Sequence, residues 1–189
     1  MPAFMRSIPE GDDRERQVCN TCGYIAYDNP KIIVGSVIQW GDRVLLCRRA
    51  IEPRRGYWTL PAGFLEHGET AGEGAMREAS EEACASISLD GILAIFSISR
   101  IGQVQIIFRA RLEERSAVPS FRPGPESLDV RLFGWDEIPW PDLAFPSVRW
   151  ALQAWRESAN RPLGQPWGNP AEDPRGSVPP DHGVQDRSS

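Results

Sequence analysis

Residues 63 to 82 read Gly-Phe-Leu-Glu-His-Gly-Glu-Thr-Ala-Gly-Glu-Gly-Ala-Met-Arg-Glu-Ala-Ser-Glu-Glu, and few folds accommodate such a run. A glycine-rich loop leads into a helical stretch. At about 100° per residue, Glu78, Glu81 and Glu82 share an arc of roughly 100°. Carboxylates so close repel, and each raises its neighbours' proton affinity unless positive charge sits among them. A divalent cation with oxygen ligands resolves the conflict, and Mg²⁺ leaves coordination positions for water and phosphate oxygens.

Local signals support a helix here. Thr70 followed by Glu73 matches a capping box and places the helix start just before the acidic run. Met76, Ala79 and Ala83 form a narrow apolar stripe opposite the carboxylates. Gly74, one turn ahead of Glu78, is expected to leave room for a phosphate group. A solvated acidic helix is the plain alternative, and the flanking loop argues against it.

Gly63, Glu69, Arg77, Glu78, Glu81 and Glu82 stand at the spacing of the Nudix box, and residues 31 to 155 resemble that family more widely. Cys84 stands where the family usually has glycine. The resemblance implies an α/β/α sandwich with a mixed central sheet. It also implies a Nudix hydrolase that cleaves a nucleotide diphosphate with Mg²⁺ or Mn²⁺. Glu78, Glu81 and Glu82, with a backbone carbonyl at Ala62 or Gly63, are the implied metal ligands. Arg77 is expected to orient one carboxylate, and Glu69 to brace the loop. The catalytic base is Glu78 or an acid from the loop 123 to 129, where Glu126 and Asp129 are the candidates. Arg48, Arg49, Arg54 and Arg55 flank the approach, and Arg48, Arg49, Arg54 and Phe64 are expected to bind substrate.

The chain has 189 residues, enough for one sizeable core. Its net charge is −5, and no basic or aromatic-basic stripe offers a nucleic-acid groove. An anionic substrate must therefore be attracted locally, by metal and arginine. Lys31 is the single lysine among 21 basic residues. No apolar run reaches membrane-spanning length and the first 18 residues lack an apolar core, so a cytoplasmic location is expected. Homodimers are common among similar proteins.

Four cysteines give no disulfide framework in such a setting. Cys47 and Cys84 read as buried free thiols. Cys19-Asn-Thr-Cys22-Gly23 is half of a zinc ribbon, and residues 8 to 31 resemble the arm of zinc-ribbon Nudix proteins. A closed zinc site needs four ligands. A site shared across a dimer would supply them; without metal the arm, residues 1–30, reads as a loose loop or an exchanging strand.

Apolar runs Ile32 to Trp40 and Val44 to Arg48 flank Gly41-Asp42, a hairpin signal. Trp58 to Pro61 is a short strand. Ile87 to Ser99 and Val104 to Leu112 form a second hairpin, Val130 to Trp135 another strand, and Ser147 to Ala159 a closing helix. The hydrolase domain thus spans 31–159. Pro162, Pro166, Pro170 and Pro174 punctuate a polar segment, and 160–189 is expected to be a disordered tail.

The substrate is less legible. Segments 46 to 54, 58 to 64 and 126 to 133 are similar to a subgroup acting on ADP-ribose or FAD, which would yield AMP and a phosphorylated product. Ile101 stands where the ADP-ribose branch commonly has proline, and the motif of NADH-cleaving relatives is absent. Tyr57, Trp58, Phe64 and Phe96 are candidates to stack on a base. A house-cleaning nucleoside triphosphate pyrophosphatase is the rival enzyme, and a non-catalytic nucleotide sensor the rival class.

Overall fold

A computed structural model describes residues 3–113, 119–159 and 161–177. The chain divides into two compact units, Met1–Pro30 and Lys31–Ser189. The first is a three-stranded antiparallel sheet of β1 (Phe4–Ser7), β2 (Arg16–Cys19) and β3 (Ile25–Ala26). The arm is therefore paired strand rather than a loose loop. Cys19 and Cys22 bracket its tight turn, where Gly23 adopts φ +72° and donates its N–H to the Cys19 carbonyl at 2.9 Å.

The second unit is built on a mixed sheet. Its strands are β4 (Lys31–Trp40), β5 (Arg43–Arg49), β6 (Trp58–Thr59), β7 (Ala62–Phe64), β8 (Ile87–Ile98), β9 (Gln103–Leu112) and β10 (Ser127–Phe133). The order is β10-β5-β4-β9-β8, with β6 paired to β5 and β7 to β4. Strand β4 runs parallel to β9 and antiparallel to β5 and β7. Gly41, at φ +59°, makes the tight β4–β5 turn, as the sequence signal implies.

Alternation along the strands decides what each face meets. Ile38, Leu45, Cys47, Ala110 and Val130 pack with Ala79 and Ala83 of helix α1 (Ala71–Ala83). Val37, Val44, Leu46, Leu93 and Ile107 pack with Val148, Leu152 and Trp155 of helix α2 (Pro146–Ser158). Each fully buried aliphatic side chain contributes about 1.5–3 kcal/mol over an exposed one. The result is the expected α/β/α sandwich, and among the described residues no helix is long and apolar enough to cross a membrane.

Helix α1 carries its capping box: Glu73 N–H donates to Thr70 Oγ1 at 3.2 Å, and Thr70 N–H to Glu73 Oε2 at 2.7 Å. Its buried stripe is Ala75, Ala79 and Ala83, whereas Met76 is 39% exposed. Small residues let α1 lie close to the sheet, and Met76 falls one position outside the contact arc. The room beside Gly74 is taken by Glu69 and by Val34, so no phosphate enters there.

The disorder expected beyond residue 159 does not hold for 161–177; residue 160 and residues 178–189 lie outside the described residues. Strand β8 is the sheet edge, and this segment covers it. Trp167 exchanges backbone hydrogen bonds with Leu93 and Ile95 at 2.9 and 2.8 Å. The Asn169 amide accepts from Ser97 N–H and donates to Ser97 O, both at 2.8 Å, in the manner of a strand neighbour. Ser99 N–H donates to Arg175 O at 2.9 Å. Polar pairing with an open edge, together with Leu163 packed against the core, supplies the ordering.

Candidate active site

Strand β7 and helix α1 meet at Gly63. A β-carbon there would fall on the Glu78 carboxylate, so a side chain at 63 would displace that carboxylate from its place. Val34 pairs with Gly63 and Ile33 with Phe64, which fixes this edge against β4.

Arg77 holds the acidic cluster. Its Nε and Nη2 donate to the two oxygens of Glu69 at 3.0 and 2.8 Å. Nη1 donates to Glu78 Oε1 at 2.7 Å and Glu81 Oε2 at 2.9 Å, and Nη2 also reaches Phe64 O at 2.9 Å. The guanidinium holds the Glu69 carboxyl down at about 2, and Glu66 N–H, donating at 2.8 Å, reinforces it. Glu69 therefore braces the loop, tied to Arg77 and to the backbone.

Glu78 and Glu82 are 7% and 6% exposed. Burial pushes the Glu82 carboxyl up to about 8, with the Glu78 charge adding to it; Ala62 N–H, donating at 3.2 Å, and the nearby Arg49 act against the rise. Burial also raises Glu78, against the pull of Arg77. Glu81 is by contrast largely exposed, its side chain at 59%. Two buried carboxylates with high proton affinity are oxygen donors short of positive charge, which is what a hard divalent cation supplies. Among the described residues no three His, Cys, Asp or Glu side chains already converge as a cage. Glu78 and Glu81 turn to Arg77, and Glu82 to Ala62.

The loop before β10 completes the cluster. Arg122 and Gly124 donate backbone N–H groups to the last α1 carbonyls, Ala83 O at 2.9 Å and Glu82 O at 3.0 Å. Gly124 lies so close to Glu81 O that no side chain fits. That contact brings Glu126 near enough for its charge to raise both Glu78 and Glu82. Asp129 is not part of the site: it pairs with Arg131 at 2.6 Å along the strand and does not line the cavity.

The cluster opens into a cavity of about 840 Å³. Ala62, Gly63, Phe64, Arg77, Glu78, Glu81, Glu82, Glu126 and Arg49 line it; Arg48, Arg54 and Arg55 do not. Alternation on β5 sends Arg48 away from Arg49. Arg48 Nε donates to Gly56 O at 2.8 Å, Arg55 Nη1 to Ala50 O at 3.0 Å, and Arg54 lies over the Tyr57 ring. Of the candidate stacking aromatics only Phe64 faces the cavity, 53% exposed; Trp58 and Phe96 are buried core. The sequence reading missed the far wall, made by Ile98, Gln103, Gln105, Phe145, Trp150 and Gly176. Its available signal was Gln-Val-Gln, two amides at strand period within an apolar run. Ile101, at the marker position of the ADP-ribose branch, also lines the cavity.

The four-ligand requirement of a structural zinc is not met in the arm. Backbone amides of Thr21 and Cys22 pull the Cys19 thiol below its usual value, as in a metal knuckle. Among the described residues no third donor joins the pair. Cys47 lies in the other unit with its thiol on Glu82 O at 3.9 Å. The residues present do not fit a closed zinc site.

An acidic helix tied through one arginine to a glycine strand, above a mixed sheet between two helices, is the architecture of the Nudix hydrolases. The family model described as NUDIX domain matches residues 30–153, and the chain belongs to that family. The model described as Nudix N-terminal, a zinc-ribbon module, matches residues 3–28. The crystal structure of a NUDIX hydrolase from Nitrosomonas europaea is 44% identical, with TM-score 0.81, covering 89% of this chain and 94% of that one. ADP-ribose pyrophosphatase of Methanocaldococcus jannaschii is 34% identical over 39% of this chain. Human 8-oxo-dGDP phosphatase NUDT18 is 30% identical over 75% of it. The chain spans 44% of the length of each of these two relatives.

Proposed function

We propose that this Nudix hydrolase cleaves the diphosphate of a nucleoside diphosphate linked to a second moiety, ADP-ribose, FAD or a related dinucleotide, releasing AMP and a phosphorylated product. The observation that carries this reading is the pairing of two buried, proton-hungry glutamates with a cavity of about 840 Å³ whose further lining is mostly apolar. A nucleoside triphosphate would meet the same two features, and the substrate panel separates it from an ADP-linked compound. The name of the archaeal relative supports the same substrate class.

Glu78, Glu81 and Glu82, with the Gly63 or Ala62 carbonyl, would hold Mg²⁺ or Mn²⁺. When bound, the cation neutralises the diphosphate and makes water a better nucleophile. Arg77 keeps Glu78 and Glu81 aimed, and Arg49 meets phosphate at the cavity wall. Water attacks one phosphorus in line; a new O–P bond forms and the bridging P–O bond breaks. Glu126, exposed and facing the cluster, takes the water proton, whereas Glu78 is engaged by Arg77.

A panel of ADP-ribose, FAD, NADH and nucleoside triphosphates with excess Mg²⁺ or Mn²⁺ tests the reading. The expected result is preference for one ADP-linked compound, abolished by chelator; turnover of triphosphates alone overturns it. A second reading, hydrolysis of an oxidised nucleoside diphosphate, is favoured by the human relative that aligns with 75% of the chain, and 8-oxo-dGDP belongs in the same panel.

A further inference from the structure

Across the sheet from the glycine strand, the cavity wall changes character. Phe64 of β7 faces Ile33 of β4, Ile33 faces Gln105 of β9, and Gln105 faces Phe96 of β8. These four residues form one row. Gln105 lies two strands from β7, about 10 Å at the usual strand spacing. Gln103, two residues earlier, shares its face, and both line the cavity. Trp150 of α2 stands beside them, its ring edge-on to Phe96 with centroids 5.5 Å apart.

The two amides are half-buried, yet among the described residues they bond only to each other, Gln105 Nε2 donating to Gln103 Oε1 at 3.4 Å. That contact leaves the Gln105 carbonyl, its second N–H and the Gln103 amino group free. Donors and an acceptor thus stand side by side in an otherwise apolar wall. Such a set matches the edge of a heterocyclic base, as a glutamine amide matches adenine. Trp150 offers an aromatic surface beside it. Both amides face the cavity, within reach of a ligand's base edge.

We propose that Gln103 and Gln105 form the base-reading end of the cavity, taking the planar heterocycle of a nucleotide whose phosphate lies at the glutamates. This rests on the nucleotide reading above, and it assigns specificity to two residues outside the box.

The test is equilibrium binding, by titration calorimetry with Mg²⁺, of AMP and of ribose 5-phosphate to the full chain. Wild type is expected to bind AMP at least about tenfold more tightly than ribose 5-phosphate. Gln103→Leu and Gln105→Leu are each expected to weaken AMP about tenfold, the worth of a neutral hydrogen bond, and to leave ribose 5-phosphate within about twofold. Equal binding of the two ligands by wild type overturns the proposal whether or not the variants fold. A preference for AMP that survives in both folded variants overturns it too. Product binding needs no turnover. A panel without diphosphate hydrolysis but with this preference defeats the catalytic reading alone, and hydrolysis without the preference defeats the base site alone.

Discussion

The Glu78 carboxylate occupies the space where residue 63 would carry its β-carbon. The first glycine of the box and the first glutamate of the cluster are therefore one packing unit, although 15 positions separate them. Gly63→Ala forces the two apart. We expect kcat to fall about 100-fold, the usual cost of misplacing a reacting group by about an ångström. Circular dichroism should report an intact fold; undiminished turnover would show that Glu78 has no fixed role.

Arg77→Lys keeps the charge and loses the fork that grips both oxygens of Glu69 while reaching Glu78, Glu81 and Phe64 O. A loss of about 2 kcal/mol is expected, within the range for hydrogen bonds to charged groups. Urea unfolding measures it. Activity should drop further than stability, because the carboxylates lose their orientation.

Burial holds the Glu82 carboxyl up at about 8, above its ordinary 4.5. The folded protein thus keeps a proton that the unfolded chain has released. Stability from this group is full below about pH 4.5 and is lost as pH rises through about 8. Metal-free protein should unfold at lower urea at pH 9 than at pH 6, and Glu82→Gln should flatten that slope. A divalent cation must displace the same proton, so Mn²⁺ affinity should rise over this interval. Glu82→Gln should abolish hydrolysis with the fold intact. Mn²⁺ affinity independent of pH from 6 to 9 would contradict the assignment of Glu82 as a ligand.

Cys84 ends α1 in the left-handed region, φ +47°, and its N–H donates to Ser80 O at 3.0 Å. A side chain there is strained by about 1 kcal/mol relative to glycine. Cys84→Gly, the residue the Nudix box ordinarily has, should raise stability by about that amount, or roughly 2–4 °C in Tm. An unchanged or lower Tm in differential scanning calorimetry would show that the cap carries no strain.

Asn169→Ala removes both hydrogen bonds that tie the C-terminal segment to Ser97. Gly176, which lines the cavity, sits further along this segment against Ser97 and Ile98. Faster proteolysis within 161–177 is expected, together with a raised KM and a kcat close to wild type. A KM unchanged in the variant would separate the segment from the substrate wall.

The helix, its capping box, the hairpins and the acidic face were legible because each rests on residues close in sequence. Thr70 and Glu73 are three apart, and Glu78, Glu81 and Glu82 share an arc by helical period alone. Spacing likewise made the family recognisable. What spacing does not hold is which distant residues a sheet brings together. Asp129 and Glu126 look equivalent in sequence, and only the packing of Gly124 on the helix end selects Glu126. Arg48 and Arg49 are neighbours, and strand alternation gives just one of them to the cavity. The segment 161–177 reads as disordered because its ordering depends on the open edge of β8, which exists only once the sheet has formed. Local hydrogen bonding and periodicity therefore determined the acidic helix from sequence. The wall that faces it, Gln103, Gln105, Trp150 and Gly176, was decided by long-range register, since no local interaction ties the two glutamines to Trp150 or Gly176.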